Sequence, residues 1–367
     1  MNFEWPCLSF DIIRDVLGAS RTDFPHTAYF ISGTQAETED DNQLLVTKLS
    51  ELQCTKFDDE IEDESSLQNA KLKVCGNHHP SCVNRVRSMI QSPNIIATWT
   101  ELNGVLIWDV SAAINASNYD SEGQGSVEII HECPMDDEGF ALAWSPTLAG
   151  QLAIGGADGK IQLWTQQGGS FVLSSNFDAH ADSIEDIVYS PSDLGVFASC
   201  SCDKCIVIWD SRDYSKPVAK FEAHKSDVNV IDWNTIQRNL IVSGADDGVF
   251  SVWDLRMVGN QCEPAATFNF HEDPITSIQW NPNDESEIAV ACDDGRVTIW
   301  DLSVEAVDPE EREEGIPDQM MFEHPIDNPK ELRYHPQIPS LIAVTGDTFD
   351  IFIPDIVADN AEEEDKK

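Results

Sequence analysis

A serine hydroxyl, an imidazole and a carboxylate are the parts of a nucleophilic triad, and His180, Ser199 and Asp203 supply all three in one stretch that ends in Trp209. The same order returns as His224, Ser243, Asp247 and Trp253, and His271, Asp294 and Trp300 repeat most of it. An active site does not come in copies, and triads are defined by geometry rather than by residue type. Repetition therefore assigns these residues to structure, and no catalytic residue is expected.

Thiols invite a second chemistry. Cys200, Cys202 and Cys205 resemble a thiolate ligand set, but they replace Gly244, Asp246 and Val249 of the neighbouring unit, and a structural zinc site takes four ligands. Cys75, His78, His79 and Cys82 offer four donors at a spacing that matches no familiar zinc finger. No glycine-rich loop follows a strand and opens a helix, so no phosphate cradle is expected either. The expectation is no metal, no cofactor and no enzyme activity. The ten cysteines show no framework spacing and fit a reducing compartment.

Behind these residues lies a repeat. Trp108, Trp164, Trp209, Trp253 and Trp300 stand 44 to 56 residues apart, and Asp158, Asp203, Asp247 and Asp294 each lie six positions before one of them. Gly159, Gly248 and Gly295 follow three of these Asp residues, and Asp-Gly between apolar runs predicts a tight hairpin, because such turns need positive φ. Alternation from Val249 to Trp253 and the apolar run at 231–233 predict strands. His131 and His324 are looser equivalents of the histidine that opens each unit, and Phe352 stands where the tryptophan after His324 belongs.

The chain has 367 residues, 66 acidic against 22 basic, for a formal charge of −44. That surface repels nucleic acid and anionic lipid and attracts basic protein. Acidic runs at 37–64, 305–323 and 359–367 leave 42 acidic against 17 basic residues elsewhere, so the folded body is itself strongly negative. With 41% apolar residues, 10 Trp and 16 Phe, the chain has a core. No signal-peptide pattern opens it, and no apolar stretch reaches the roughly 18 residues of a membrane span.

The Trp-Asp pairs at 108–109, 209–210, 253–254 and 300–301 resemble those of WD-repeat propellers, whose blades run ~40–45 residues. Six blades are counted through Trp108, Trp164, Trp209, Trp253, Trp300 and Phe352, and residues 24–57 can make a seventh. The expected fold is all-β, a seven-bladed WD40 β-propeller over residues 23–357, with terminal strands completing one blade and an acidic tail at 358–367. Residues 1–22 are expected to carry a short helix: Ser9 or Asp11 can cap it, Gly18 can end it, and Phe10, Ile13, Val16 and Leu17 share one side at helical spacing. The resemblance also implies that the His, Ser, Asp and Trp of a blade form a hydrogen-bond relay joining its strands.

Five segments carry a closer likeness. EWPCLSFD at 4–11, FPHTAYFISGTQAE at 24–37, VNRVR at 83–87, EGFALAWSP at 138–146 and SVWDLR at 251–256 together resemble the glutamate-rich WD-repeat family. That resemblance implies ribosome biogenesis in the nucleus and nucleolus: fungal members are chaperones of the third protein of the large ribosomal subunit, and animal members also bind histones and chromatin. Its broader relatives, the histone-binding WD-repeat chaperones, clamp a basic helix between an N-terminal helix and an acidic loop. By analogy the partner-binding residues here are Phe10, Ile13 and Leu17 with Glu305, Asp308, Glu310, Glu311, Glu313, Glu314 and Asp318. A second arrangement places the client on one face of the ring, through Glu138, Glu185, Asp246 and Asp293. The reading is a non-enzymatic, monomeric chaperone of a basic ribosomal protein, with no direct nucleic-acid or membrane contact. A histone-binding chaperone or chromatin regulator, or a substrate receptor of a ubiquitin ligase, is the alternative.

Overall fold

The computed structural model describes residues 7–53, 70–102, 104–118, 125–178, 180–213, 216–258, 262–305 and 316–355. Their strands form seven sheets, each an antiparallel meander of sequential strands. The innermost strands, in blade order I to VII, are Ser9–Ile13, Val83–Met89, Ala141–Trp144, Ile184–Tyr189, Val228–Trp233, Ile275–Trp280 and Glu331–Tyr334. Each touches its neighbours before and after, and the seventh returns to the first, so the sheets close into a seven-bladed propeller. Blades I to VI have four strands, and blade VII has three among the described residues.

Local chemistry explains each meander. Gly159, Gly248 and Gly295 take φ of 75°, 77° and 86° in the hairpins between second and third strands, and Lys204 takes 69° in the unit without the glycine. A β-carbon on Gly159 would stand 2.5 Å from the carbonyl oxygen of His180, so the turn needs glycine for close approach as well as for its dihedral. At the far end of the third strands, Asp109, Asp210, Asp254 and Asp301 accept the backbone N–H two residues on, from Ser111, Arg212, Arg256 and Ser303, at 2.8–3.0 Å. These side-chain turns end the strand just after its tryptophan.

The core is divided into clusters that lie between adjacent blades. Phe177, Phe197 and Trp209 belong to the one joining III to IV, and Phe250, Trp280 and Trp300 to the one joining V to VI. Both faces of a blade are thus buried, which is why strands such as Leu240–Ala245 are apolar at consecutive positions rather than alternate ones.

That same burial corrects the N-terminal expectation. Ser9–Ile13 is a strand paired with His26–Gly33, not part of a helix over 9–17, so the ring begins at Ser9 rather than at residue 23. Phe10 and Ile12 pack toward blade VII with Phe30 and Phe349, while Ile13 packs with Tyr29 and Val86 toward blade II. Phe10, Ile13 and Leu17 fit a helical stripe only because a strand buried on two faces is apolar on both. Beyond Ile13 the chain is a loop with positive φ at Gly18 (106°) and Ser20 (54°), and the α-helix among the described residues is Ser111–Asn118, on blade II.

Side chains close the seam between blades VII and I. Gln337 accepts the Asp15 N–H at 2.9 Å and donates to the carbonyls of Asp15 and Gly18 at 2.9 and 3.1 Å, while its own carbonyl accepts the Arg21 N–H at 2.9 Å. Deeper in the seam, Glu331 accepts the Ser9 hydroxyl at 2.6 Å and the Phe10 N–H at 3.1 Å. Its other oxygen lies 2.7 Å from Arg87, 3.0 Å from Arg333 and 3.5 Å from Arg85.

A buried carboxylate shared by three guanidinium groups is costly to disturb, because removing one partner leaves the others uncompensated. Glu331→Gln is expected to destabilise the fold by about 3–5 kcal/mol in urea unfolding, whereas Glu305→Gln, on an exposed residue, should stay within about 0.5 kcal/mol.

Candidate functional site

The repeated histidines form relays. In blade IV, His180 Nε2 lies 2.8 Å from Ser199 Oγ and Nδ1 lies 3.0 Å from Asp203, while the Trp209 indole N–H donates to the same serine oxygen at 3.0 Å. In blade V, His224 and Trp253 meet Ser243 at 2.7 and 2.8 Å, but Asp247 turns to the Val249 N–H at 3.3 Å. In blade VI, His271 bridges Asp294 and Thr298 at 2.8 and 2.9 Å, and Trp300 donates to Thr298 at 2.8 Å. Ser199 and Ser243 are fully buried, each wedged between an imidazole and an indole, with no approach for a substrate.

The relays also absorb the metal-like donors. His79 Nε2 meets Thr98 at 3.0 Å, which also accepts from Trp108, and its Nδ1 meets the Ser81 carbonyl at 2.6 Å. Cys200 is buried, and Cys202 donates its thiol to Glu185 at 3.3 Å. Among the described residues His271, Cys292 and Asp294 bring donor atoms within 4.8 Å of one another, yet both nitrogens of His271 are engaged within the relay. Burial pushes His79 and His224 down to about 4, so these rings are neutral near pH 7. Burial also works to raise Asp203, but the Ala181 N–H, Lys220 and His180 outweigh it and hold the carboxyl well below its ordinary range.

The expected clamp loses its apolar half. Phe10 and Ile13 are buried within the ring and cannot touch a client, while Leu17 is exposed on the loop pinned by Gln337. Glu305 is exposed and Asp318 half-buried; Asp308, Glu310, Glu311, Glu313 and Glu314 lie outside the described residues.

The second set of residues does share a surface. Inner strands run parallel around the ring, as two pairs of contacts show: Ser9 and Asp11 of blade I accept the N–H groups of Val86 and Ser88, and Ser277 and Gln279 of blade VI accept those of Leu332 and Tyr334. In antiparallel meanders set this way, turns leading from one blade to the next lie on the same face as turns between second and third strands. Glu138 is in the former kind, Asp246 and Asp293 are in the latter, and Glu185 starts the inner strand of blade IV at that face. Asp137, Asp182, Asp227, Glu272 and Asp273 belong to it as well, and the basic residues in its described turns are Lys204, Lys225 and Lys330. Lys330 is paired with Asp293 at 3.1 Å, and Lys204 donates to a backbone carbonyl. Glu138 and Asp246 are exposed, and Glu185 is half-buried.

Sequence reading missed the channel that this face surrounds. Arg85, Arg87, Glu331, Arg333, Asp186 and Asp232 line a cavity of about 390 Å³, ringed toward the opposite face by Pro146, Pro191, Pro282 and Pro336. Burial raises the Asp232 carboxyl to about 7. The available signal was charge at alternate positions of a short strand, Arg85 with Arg87 and Glu331 with Arg333, which directs both members of a pair to the same side.

A closed propeller with structural relays in place of an active site, and one acidic turn face, defines a WD-repeat protein-binding ring. The chain belongs to the glutamate-rich WD-repeat family. The family pattern described as "WD domain, G-beta repeat" fits residues 171–210, 215–254 and 262–301, and the pattern of the histone-binding protein RBBP4 and its counterpart in the CAF1 complex fits residues 1–53. The chain is similar to the protein HEAT STRESS TOLERANT DWD 1 of Arabidopsis thaliana, 37% identical over 95% of this chain and 84% of that relative. It is also similar to glutamate-rich WD repeat-containing protein 1 of Dictyostelium discoideum, 38% identical over 58% of this chain and 48% of the relative. A third relative, ribosome assembly protein rrb1 of Schizosaccharomyces pombe, is 37% identical over 63% of this chain and 51% of its own length.

Two outcomes follow from the relay geometry. Asp203→Ala strands His180 and the Ala181 N–H and should cost about 1–3 kcal/mol in thermal or urea unfolding, whereas Asp247→Ala, which loses one long turn contact, should cost less. Stability should also fall on acidification. His79 and His224 bind protons more readily unfolded than folded, so their contribution is complete above pH 6.5 and is lost as pH drops toward about 4. Asp232, which holds its proton more tightly when folded, gives a slope of opposite sign from pH 3.8 to about 7. The histidines outnumber it, so melting temperatures should decline from pH 7 to pH 5, and Asp232→Asn should steepen that decline.

Proposed function

We propose that this protein is a non-enzymatic chaperone that receives a newly made, strongly basic protein of the large ribosomal subunit, the third protein by family resemblance, and shields it until assembly in the nucleolus. The observation that carries this reading is the acidic turn face around the channel mouth. Its carboxylates outnumber its lysines, and one of those lysines is already paired. An unassembled RNA-binding protein carries a dense positive surface that would otherwise bind stray RNA. A negative ring steers it in and covers that charge. The relative named ribosome assembly protein rrb1 supports the process, and the absence of nucleic acid from the scheme follows from the charge of −44.

The N-terminal match to a histone-binding family favours a second reading, in which the client is a core histone. Both clients are basic, so charge alone does not separate them. Affinity capture of the tagged full chain from cells, followed by mass spectrometry, does: a single ribosomal protein should dominate, and core histones in its place would favour the second reading.

The surface is tested by charge. Changing Glu138, Glu185, Asp246 and Asp293 to Lys should weaken binding of the captured client by about tenfold or more and leave the fold intact. Gln at Glu310, Glu311, Glu313 and Glu314 should have a much smaller effect. The reverse ranking would move the client to the flank of the ring. Binding by the unmodified chain should weaken steeply between low and high salt, because a field of many acids is screened over about 8 Å at physiological ionic strength.

A further inference from the structure

The geometry points to Thr38 as a phosphorylation site, modified by a protein kinase that reads acidic residues after its target. It lies in the blade I turn between second and third strands, which belongs to the acidic face, so the inference rests on the proposed basic client for its consequence but not for the modification itself. Thr38 is followed by Glu39, Asp40 and Asp41 and preceded by Glu37, and all five side chains are exposed. Kinases select substrates by charge pattern, and three consecutive acids after a hydroxyl suit a basic substrate groove.

Accessibility separates Thr38 from other hydroxyls that precede acids. Thr34, three residues before Glu37, is buried. Ser183 precedes Glu185 and Asp186, but Asp186 is held in the channel wall by the Ile231 N–H at 3.2 Å. Ser20 precedes Asp23, with Arg21 between them. Thr38 itself is extended, at φ −122° and ψ 143°, the form in which a chain lies along a cleft. The single 3₁₀ turn that follows, Glu39–Asp41, buries no side chain, so a kinase can straighten it at small cost. Asn42, buried beneath it and bonded to the Ala36 N–H at 2.8 Å, keeps the base of the turn fixed while the tip opens.

In the reaction, Thr38 Oγ1 bonds to the γ-phosphorus of a nucleoside triphosphate and the bond from that phosphorus to the β-phosphate oxygen breaks. The nucleoside diphosphate leaves, and the hydroxyl proton passes to the kinase base. The hydroxyl at present donates to Asp41 at 2.7 Å, and the new dianion cannot keep that contact. With no basic side chain in the turn to pair with it, the phosphate adds charge to the face instead of a new internal contact.

The test is to treat the full chain with an acid-directed Ser/Thr kinase and Mg-ATP, map the phosphate by mass spectrometry, and measure poly-lysine binding before and after. We expect phosphate on Thr38, none at this position in Thr38→Ala, and several-fold slower transfer when Asp40 and Asp41 are both changed to Asn. Phosphorylated protein should bind poly-lysine roughly two- to fivefold more tightly, from two extra charges acting near one Debye length. Phosphate found elsewhere with Thr38 untouched, or equal rates with and without Asp40 and Asp41, overturns the site. Phosphorylation of Thr38 with no change in poly-lysine affinity upholds the site and counts against the acidic face as the client surface.

Discussion

The structure depends on satisfying the inner edges of seven sheets. Each innermost strand presents a row of backbone N–H and C=O groups to a narrow channel, and the neighbouring strand runs parallel to it at an angle that prevents a ladder. Unpaired groups in such a place are costly, and polar side chains supply the partners. Ser9 and Asp11 bond blade II, Asp186 bonds blade V, Asp232 bonds blade VI, Ser277 and Gln279 bond blade VII, and Glu331 bonds blade I. At the junction of blades II and III the polarity reverses, and Arg85 and Asn84 donate to the carbonyls of Phe140 and Gly139. The channel is polar because its wall is the hydrogen-bonding frame of the ring, and its arginines are held there by one buried glutamate.

This arrangement explains why so acidic a chain folds. Apolar clusters between blades supply the cohesion, and the relays satisfy the polar groups beneath each turn. Most carboxylates can then stay in turns, in contact with water, where their mutual repulsion is screened. The two faces differ in consequence: the face with the blade-to-blade turns is densely acidic, while the opposite one carries Arg212 and Arg256, each forked onto the aspartate that ends its strand.

Much of the fold was legible because its signals are local. Tryptophan spacing gave the blade period, Asp-Gly gave the hairpins, and repetition of His180, Ser199 and Asp203 as His224, Ser243 and Asp247 marked them as structural before any geometry was known. The first inner strand was not legible: Phe10, Ile12 and Ile13 are apolar toward two different blades, and a two-sided strand imitates a helical stripe. The same error removed Phe10 and Ile13 from the candidate site. Glu138, Glu185, Asp246 and Asp293 could be grouped because turn position decides the face in a meander, whereas the meeting of Glu331 with Arg85 and Arg87 joins the two ends of the ring, a relation no local pattern encodes.

The central claim is that a basic client covers the acidic turn face. Hydrogen exchange on the purified complex of the full chain with its captured client, compared with the chain alone, reads this directly. The account predicts slower exchange in the turns around Glu138, Asp182, Asp227, Asp246 and Asp293, with little change in the opposite turns at Pro146, Pro191 and Pro282. Protection confined to those opposite turns, or to the loop around Leu17, would contradict it.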